Sequence, residues 1–219
     1  MASFDGQDAK KSALREEYVA VAEHLERIAR ERYEAASMPK TVDLAVHAAS
    51  AMGVGLSARH RRRIDEAAIA HFLALPQYRN APLVLLPVPV DGGIDLGPIA
   101  LDAVGASKSI GVPRTDSDGH FMRFYLADKN GDVINDEPLD VDSFLGSICV
   151  VPGLVFDAEG FRVADEGDLY DDFLRFYPGH KVALIRSLQV SSNLLPREGG
   201  EVAVDYLVSE SSVWKCRRY

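Results

Sequence analysis

The stretch VVPGLVFDAEGFRVADEGDLYDDFLRFY, residues 150–177, sets the layout of the whole chain. An apolar run at 147–151 is broken by Pro152-Gly153 and followed by a short apolar step ending at Asp157. A loop then carries Arg162 among acids, and an amphipathic helix begins near Gly167. Strand, turn, loop and helix start in that order are what α/β enzymes use to face a ligand.

Outward from this stretch the chain alternates. Upstream, 83–88 is a continuous apolar run suited to a strand covered on both faces. The pattern predicts a helix over 96–106, short strands over 108–112 and 121–126, and a turn at Asp128-Lys129-Asn130-Gly131, since Asn-Gly tolerates positive φ. Downstream, 181–185 and 204–208 supply two more strands. Toward the N-terminus three helices are expected. The first, over 10–34, carries Leu14, Tyr18, Val21, Leu25 and Ile28 as one buried stripe and is ended by Pro39. The second, over 41–52, shows Val42, Leu44, Ala45, Ala48 and Met52 before Gly53 and Gly55. The third, over 58–75, places Ile64, Ala68, Phe72 and Leu75 on one face. No linker, repeat or low-complexity tract divides the chain, so one layered α/β domain over 1–219 is expected.

A chain of 219 residues, 47% hydrophobic and 26% charged, can bury a full core. Its net charge of −9 argues against nucleic-acid or anionic-membrane partners, and Arg59-His60-Arg61-Arg62-Arg63 reads as a solvated helix end. No run is long and apolar enough to cross a bilayer, and the polar segment 1–11 is no signal peptide. Two cysteines, Cys149 and Cys216, fit a reducing, cytoplasmic compartment, with Cys149 a core thiol in an apolar strand. The histidines lack the spacing of a helical metal pair, and no nucleophile elbow, Walker or dinucleotide fingerprint is present.

Several motifs fall in a recognisable order: Val151-Pro152-Gly153, Phe156-Asp157, Gly160-Phe161-Arg162-Val163 and Tyr170-Asp171, then Gln189, Pro196-Arg197-Glu198, Asp205 and Ser209-Glu210. This resembles the 5-formyltetrahydrofolate cyclo-ligases (5,10-methenyltetrahydrofolate synthetases), closely over the last third and loosely before it. The resemblance implies a three-layer α/β/α sandwich like that of ribose-5-phosphate isomerase and CoA-transferase domains, with N-terminal helices. It implies a small-molecule folate substrate, ATP as co-substrate, magnesium, and a monomer or weak homodimer. It assigns ATP phosphates to Lys11, Arg15, Arg162, Gly167 and Tyr170, folate to Met122 and Tyr170, and magnesium to Asp171 and Glu201. From the residues alone, Lys11 and Arg15 are two solvated cations on one helix side, Met122 is a core strand residue, and Tyr170 is a helix-packing residue. The segment 35–57 has no counterpart in the family pattern and is expected to be a helical insertion packed outside the α/β core.

The chain also departs from the family. Its 162–171 loop keeps one glycine, Gly167, and carries Asp165, Glu166 and Asp168 where the family has glycines and a basic residue. Glycines there let a backbone approach phosphates. A carboxylate about 6 Å from a phosphate charge costs about 2 to 3 kcal/mol at an effective dielectric near 20. The loop therefore takes a metal-bridged anion, has lost triphosphate binding, or is simply solvated. Gly93 stands where the family has a folate-contacting glutamate, Leu169 replaces the first tyrosine of a pair, and Gly200 replaces a histidine.

Overall fold

The computed structural model describes residues 57–90, 92–116, 121–164, 167–195, 197 and 199–216, without the side chains of 167 and 168. The expected helices over 10–34 and 41–52, with Lys11, Arg15 and nearly all of the 35–57 insertion, lie outside them. Five parallel strands, β1 (Leu83–Leu85), β2 (Ser109–Thr115), β5 (Ile148–Val150), β8 (His180–Leu184) and β9 (Tyr206–Val208), form the body of one sheet. Antiparallel β3 (Met122–Ala127) and β4 (Val133–Pro138) extend one edge and β10 (Val213–Lys215) the other, in the order β10-β9-β8-β5-β1-β2-β3-β4. The fold is α/β around a mostly parallel sheet.

Strand periodicity sorts the apolar side chains into two cores. Val84, Ile148, Val150, Val182 and Val208 pack with α1 (Ala58–Ala74), α2 (Pro76–Asn80) and α3 (Gly97–Gly105). Leu83, Leu85, Cys149, Val151, Ala183, Ile185 and Leu207 pack with Tyr170 and Leu174 of α4 (Gly167–Phe176) and with Phe156. Burial on both faces explains why β1 and β5 read as unbroken apolar runs. Ser57 caps α1 by accepting from the His60 amide, and Pro76 stops it while opening α2. Arg59, Arg62 and Arg63 are exposed, as a solvated helix end requires.

Pro113 sits inside β2, where pairing with β1 has already ended at Leu85–Gly111. Beyond that point β2 pairs with β3 alone, so its missing amide costs no ladder bond to β1. Two edge strands were not legible as strands. β4 reads VINDEP and is almost entirely exposed, and β10 is exposed throughout. Both lack the half-buried alternation that marks a strand, and charge on β4 suits an edge that must not recruit another chain.

Candidate active site

The chain runs from β1 to β2 on one side and returns to β5 on the other. The loops leaving the carboxyl ends of β1 and β5 therefore diverge, and such a switch point is where open α/β sheets hold ligands. On its β2 side a cleft of about 320 Å³ is lined by Val88, Pro113, Arg114, Thr115 and Met122. Arg114 Nη1 lies 3.3 Å from Asp136, and its guanidinium stands 5.5 Å from the Tyr125 ring centre. The cleft thus has apolar walls and one cation on its rim.

The loop after β5 folds into a small hairpin, β6 (Val155–Phe156) against β7 (Arg162–Val163). Asp157, fully buried, ties it by accepting the amides of Glu159, Phe161 and Leu195, each at 3.0 Å. Gly153 is required here because a Cβ would stand 2.6 Å from the Phe156 ring and 3.3 Å from Arg162 Cδ. Gly160 turns the hairpin at φ +88, where a Cβ would meet the Val204 carbonyl oxygen at 2.5 Å. Outside, Arg197 stacks 4.1 Å from the Phe161 ring centre and pairs with Glu159 at 2.6 Å.

This hairpin delivers Arg162 into the interior. Its Nη1 meets Asp171 Oδ1 at 3.1 Å, with side-chain exposures of 3% and 9%. The same Asp171 oxygen accepts the Val202 amide at 2.8 Å, and Arg162 also donates to the Val202 carbonyl at 3.3 Å. The structure thus gathers Arg162, Asp171 and the backbone beside Glu201 into one cluster. Tyr170, one residue before Asp171, is buried with its ring edge-on to Phe124, 6.5 Å between centres. Met122 lines the cleft and packs against the core that holds Tyr170. Gly167 is the first residue of α4.

Two residues that sequence reasoning missed, Arg186 and Asp65, meet at the exit of β8. Arg186, a buried cation, forks onto Asp65 of α1 and donates to the Gly92 carbonyl after β1. The pair spans 121 residues, and neither residue belongs to a local pattern that would announce it. Gln189, Asp205 and Glu210, picked out by motif, act on backbone: Gln189 on Gly153 and Leu154, Asp205 on the Lys181 amide, Glu210 on Ser187. His71 Nδ1 lies 2.7 Å from the Ser209 carbonyl oxygen. Cys149 is fully buried, and burial pushes its thiol up to about 12 despite the pull of Arg162 and Lys181. That is an inert core thiol.

No family model matches the chain, and no curated protein matches it. Solved structures do. The NMR structure of Aquifex aeolicus 5,10-methenyltetrahydrofolate synthetase aligns at a TM-score of 0.66 and 26% identity, over 83% of this chain and 95% of that one. The chain is similar to these 5-formyltetrahydrofolate cyclo-ligases, at low identity. The Mycoplasma pneumoniae 5,10-methenyltetrahydrofolate synthetase shares the fold at a TM-score of 0.62 and 15% identity, over 79% of this chain and 99% of that one. Among the described residues no helix is long and apolar enough to cross a membrane.

The family implies magnesium, and Asp171 tests the fit. Both its recorded bonds fall on Oδ1, so Oδ2 can serve as one ligand oxygen. A bare dication about 5 Å from the Arg162 guanidinium would meet about 6 to 7 kcal/mol of repulsion at an effective dielectric near 20. Magnesium carried on a polyphosphate brings its own negative charge and needs only one or two protein carboxylates. The residues therefore fit a nucleotide-borne magnesium and not a free ion. Among the described residues no group of three or more His, Cys, Asp or Glu is arranged to hold a metal.

Proposed function

We propose that this protein converts 5-formyltetrahydrofolate to 5,10-methenyltetrahydrofolate, with ATP as phosphoryl donor and magnesium as its counter-ion. The observation that carries this is the cleft beside the switch point, with Met122 on its wall where the resemblance expects folate. The similarity to the Aquifex aeolicus synthetase supports the same reading. It also supports the three-layer sandwich of the ribose-5-phosphate isomerase kind.

In this chemistry the formyl oxygen takes the γ-phosphoryl group of ATP and becomes a phosphate ester. The second folate nitrogen then attacks the formyl carbon and gives up its proton to the departing phosphate or to solvent, the ring closes and phosphate leaves with the former formyl oxygen, giving ADP and inorganic phosphate. Val88, Pro113 and Met122 would wall the ring system and exclude water. Arg162, with Lys11 and Arg15, would meet the phosphates, the positioning and charge stabilisation that phosphoryl transfer chiefly requires. Gly167, opening α4, would leave room for the nucleotide, and Tyr170 would back both ligands. Asp171 and Glu201 would hold magnesium, which supplies charge neutralisation for the transferred group.

A second reading is a relative that kept the scaffold for binding and lost the reaction. Gly93, which offers no side chain where the family has glutamate, and the buried Arg162–Asp171 pair favour it. Thermal shifts with MgATP, with 5-formyltetrahydrofolate and with both, followed by methenyl absorbance, separate the two. The enzyme gives shifts with each ligand and product with both. Shifts without product support the binding protein, and no shift with either ligand removes both readings.

A further inference from the structure

The exit of β8 fastens both loops that frame the crevice. Arg186 Nη1 donates to the Gly92 carbonyl at 2.9 Å, on the loop after β1. Its Nε and Nη2 donate to Asp65 Oδ1 and Oδ2 at 2.8 and 2.9 Å, a two-pronged pairing that fixes the guanidinium plane. Three residues on, Gln189 accepts the Arg186 amide at 2.8 Å and donates to the Gly153 and Leu154 carbonyls, at 3.3 and 3.2 Å, on the loop after β5. Glu210, beyond β9, accepts the Ser187 amide at 2.9 Å and so anchors the turn from the other side.

A buried ion pair is not what a fold needs for stability here, since apolar residues of similar volume commonly do as well. What the pair supplies is direction. Asp65 aims the guanidinium, and the remaining nitrogen holds one carbonyl at the lip of the crevice. That carbonyl belongs to Gly92, at φ +75, in a turn closed by the Gly93 amide on the Val90 carbonyl at 3.0 Å. Val88, four residues before Gly92 on the same loop, lines the cleft with Met122.

We propose that Arg186, aimed by Asp65, is a positioning residue that holds the loop after β1 against the crevice and thereby sets ligand affinity. The identity of the ligand, a reduced folate, rests on the cyclo-ligase reading; the tether itself does not. The test compares the full chain with Asp65→Leu, Arg186→Met and the double substitution. Each single change strands a buried charge and lowers the melting temperature, and the double change restores most of it. In the double variant, hydrogen exchange at the Gly93 and Ile94 amides rises about tenfold, as loss of one charge-assisted hydrogen bond implies. KM for 5-formyltetrahydrofolate rises about tenfold while kcat stays within about twofold. Unchanged exchange in the double variant overturns the tether, and raised exchange with unchanged KM overturns its bearing on the ligand. Should the double variant not fold, Arg186→Lys keeps a charge for Asp65 without the fork, and the same two readouts apply. A wild type that binds no 5-formyltetrahydrofolate removes the cyclo-ligase reading, and the exchange comparison then decides the tether alone.

Discussion

Asp171 accepts both Arg162 and the Val202 amide on the same oxygen, Oδ1. Deleting it strands a guanidinium that is almost wholly buried, and breaking such a pair costs about 3 to 5 kcal/mol. Asp171→Ala should therefore unfold at markedly lower urea concentration and lose the magnesium dependence of ATP binding. Arg162→Met/Asp171→Leu should recover most of the stability without recovering nucleotide affinity. An Asp171→Ala protein of undiminished stability would contradict the buried pair. Cys149 gives a second prediction, on pH. Its folded value lies near 12 against an ordinary 9.0, because burial disfavours the thiolate. Burial likewise raises the Tyr177 phenol. Above pH 9 the unfolded chain has lost the Cys149 proton that the folded chain keeps, so this contribution is present below pH 9 and is lost as pH rises toward 12. The slope is about 1.4 kcal/mol per pH unit for one such group. Urea unfolding between about pH 8 and about pH 10.5 should show a shallower decline for Cys149→Ala than for the parent. Equal slopes would mean that the thiol titrates normally.

At the scale of elements, the hairpin β6–β7 is the device that brings Arg162 to α4, and its turn depends on Gly160. A Cβ there would press on the Val204 carbonyl at 2.5 Å and on Cys216 Sγ at 2.9 Å, in a backbone conformation that side chains avoid. Gly160→Ala should cost about 2 to 4 kcal/mol, more than a surface glycine-to-alanine change elsewhere, and the check is equilibrium unfolding. Gly199→Ala, which meets nothing within 4 Å, is the control. Legibility followed burial. The helix expected over 58–75 is Ala58–Ala74, and that near Gly167 is Gly167–Phe176, because one apolar face repeats at helical spacing. The strands expected over 83–88, 108–112 and 121–126 appear as Leu83–Leu85, Ser109–Thr115 and Met122–Ala127, offset at their ends where pairing rather than hydrophobicity decides. β4, β10 and the two-residue strands of the hairpin carry no such pattern. In the site, Arg162 and Asp171 were legible one at a time, as motif residues. Their mutual pairing was not, because it depends on where Gly153 and Asp157 turn the chain. The Arg186–Asp65 pair was legible in neither sense, being made by tertiary packing alone.

Over the whole molecule the question is how a chain of net charge −9 would accept the triphosphate proposed for it. Distant surface charges are screened within about 10 Å at ordinary ionic strength, so the acids of the 162–171 segment weigh most. In sequence Asp165 and Glu166 come just before Gly167, the first residue of α4, and Asp168 is its second residue. There acids favour the helix itself, by about 0.3 to 1 kcal/mol each, while competing with any anion for the same positive end. The two effects predict opposite responses to one substitution. Glu166→Gly/Asp168→Gly should lower stability by about 1 to 2 kcal/mol, since it removes helix-favouring charge and puts glycine in the first turn. The same change should tighten MgATP binding about tenfold, by relieving repulsion and allowing closer backbone approach. The unmodified protein should bind ATP weakly in chelator and modestly with magnesium, a difference that calorimetry reads directly. Tight ATP binding in chelator would mean that these carboxylates face away from the nucleotide. A double variant that loses stability without gaining affinity, from a parent that turns over 5-formyltetrahydrofolate briskly, would mean that the acids serve the helix alone and that the family's glycines are dispensable here.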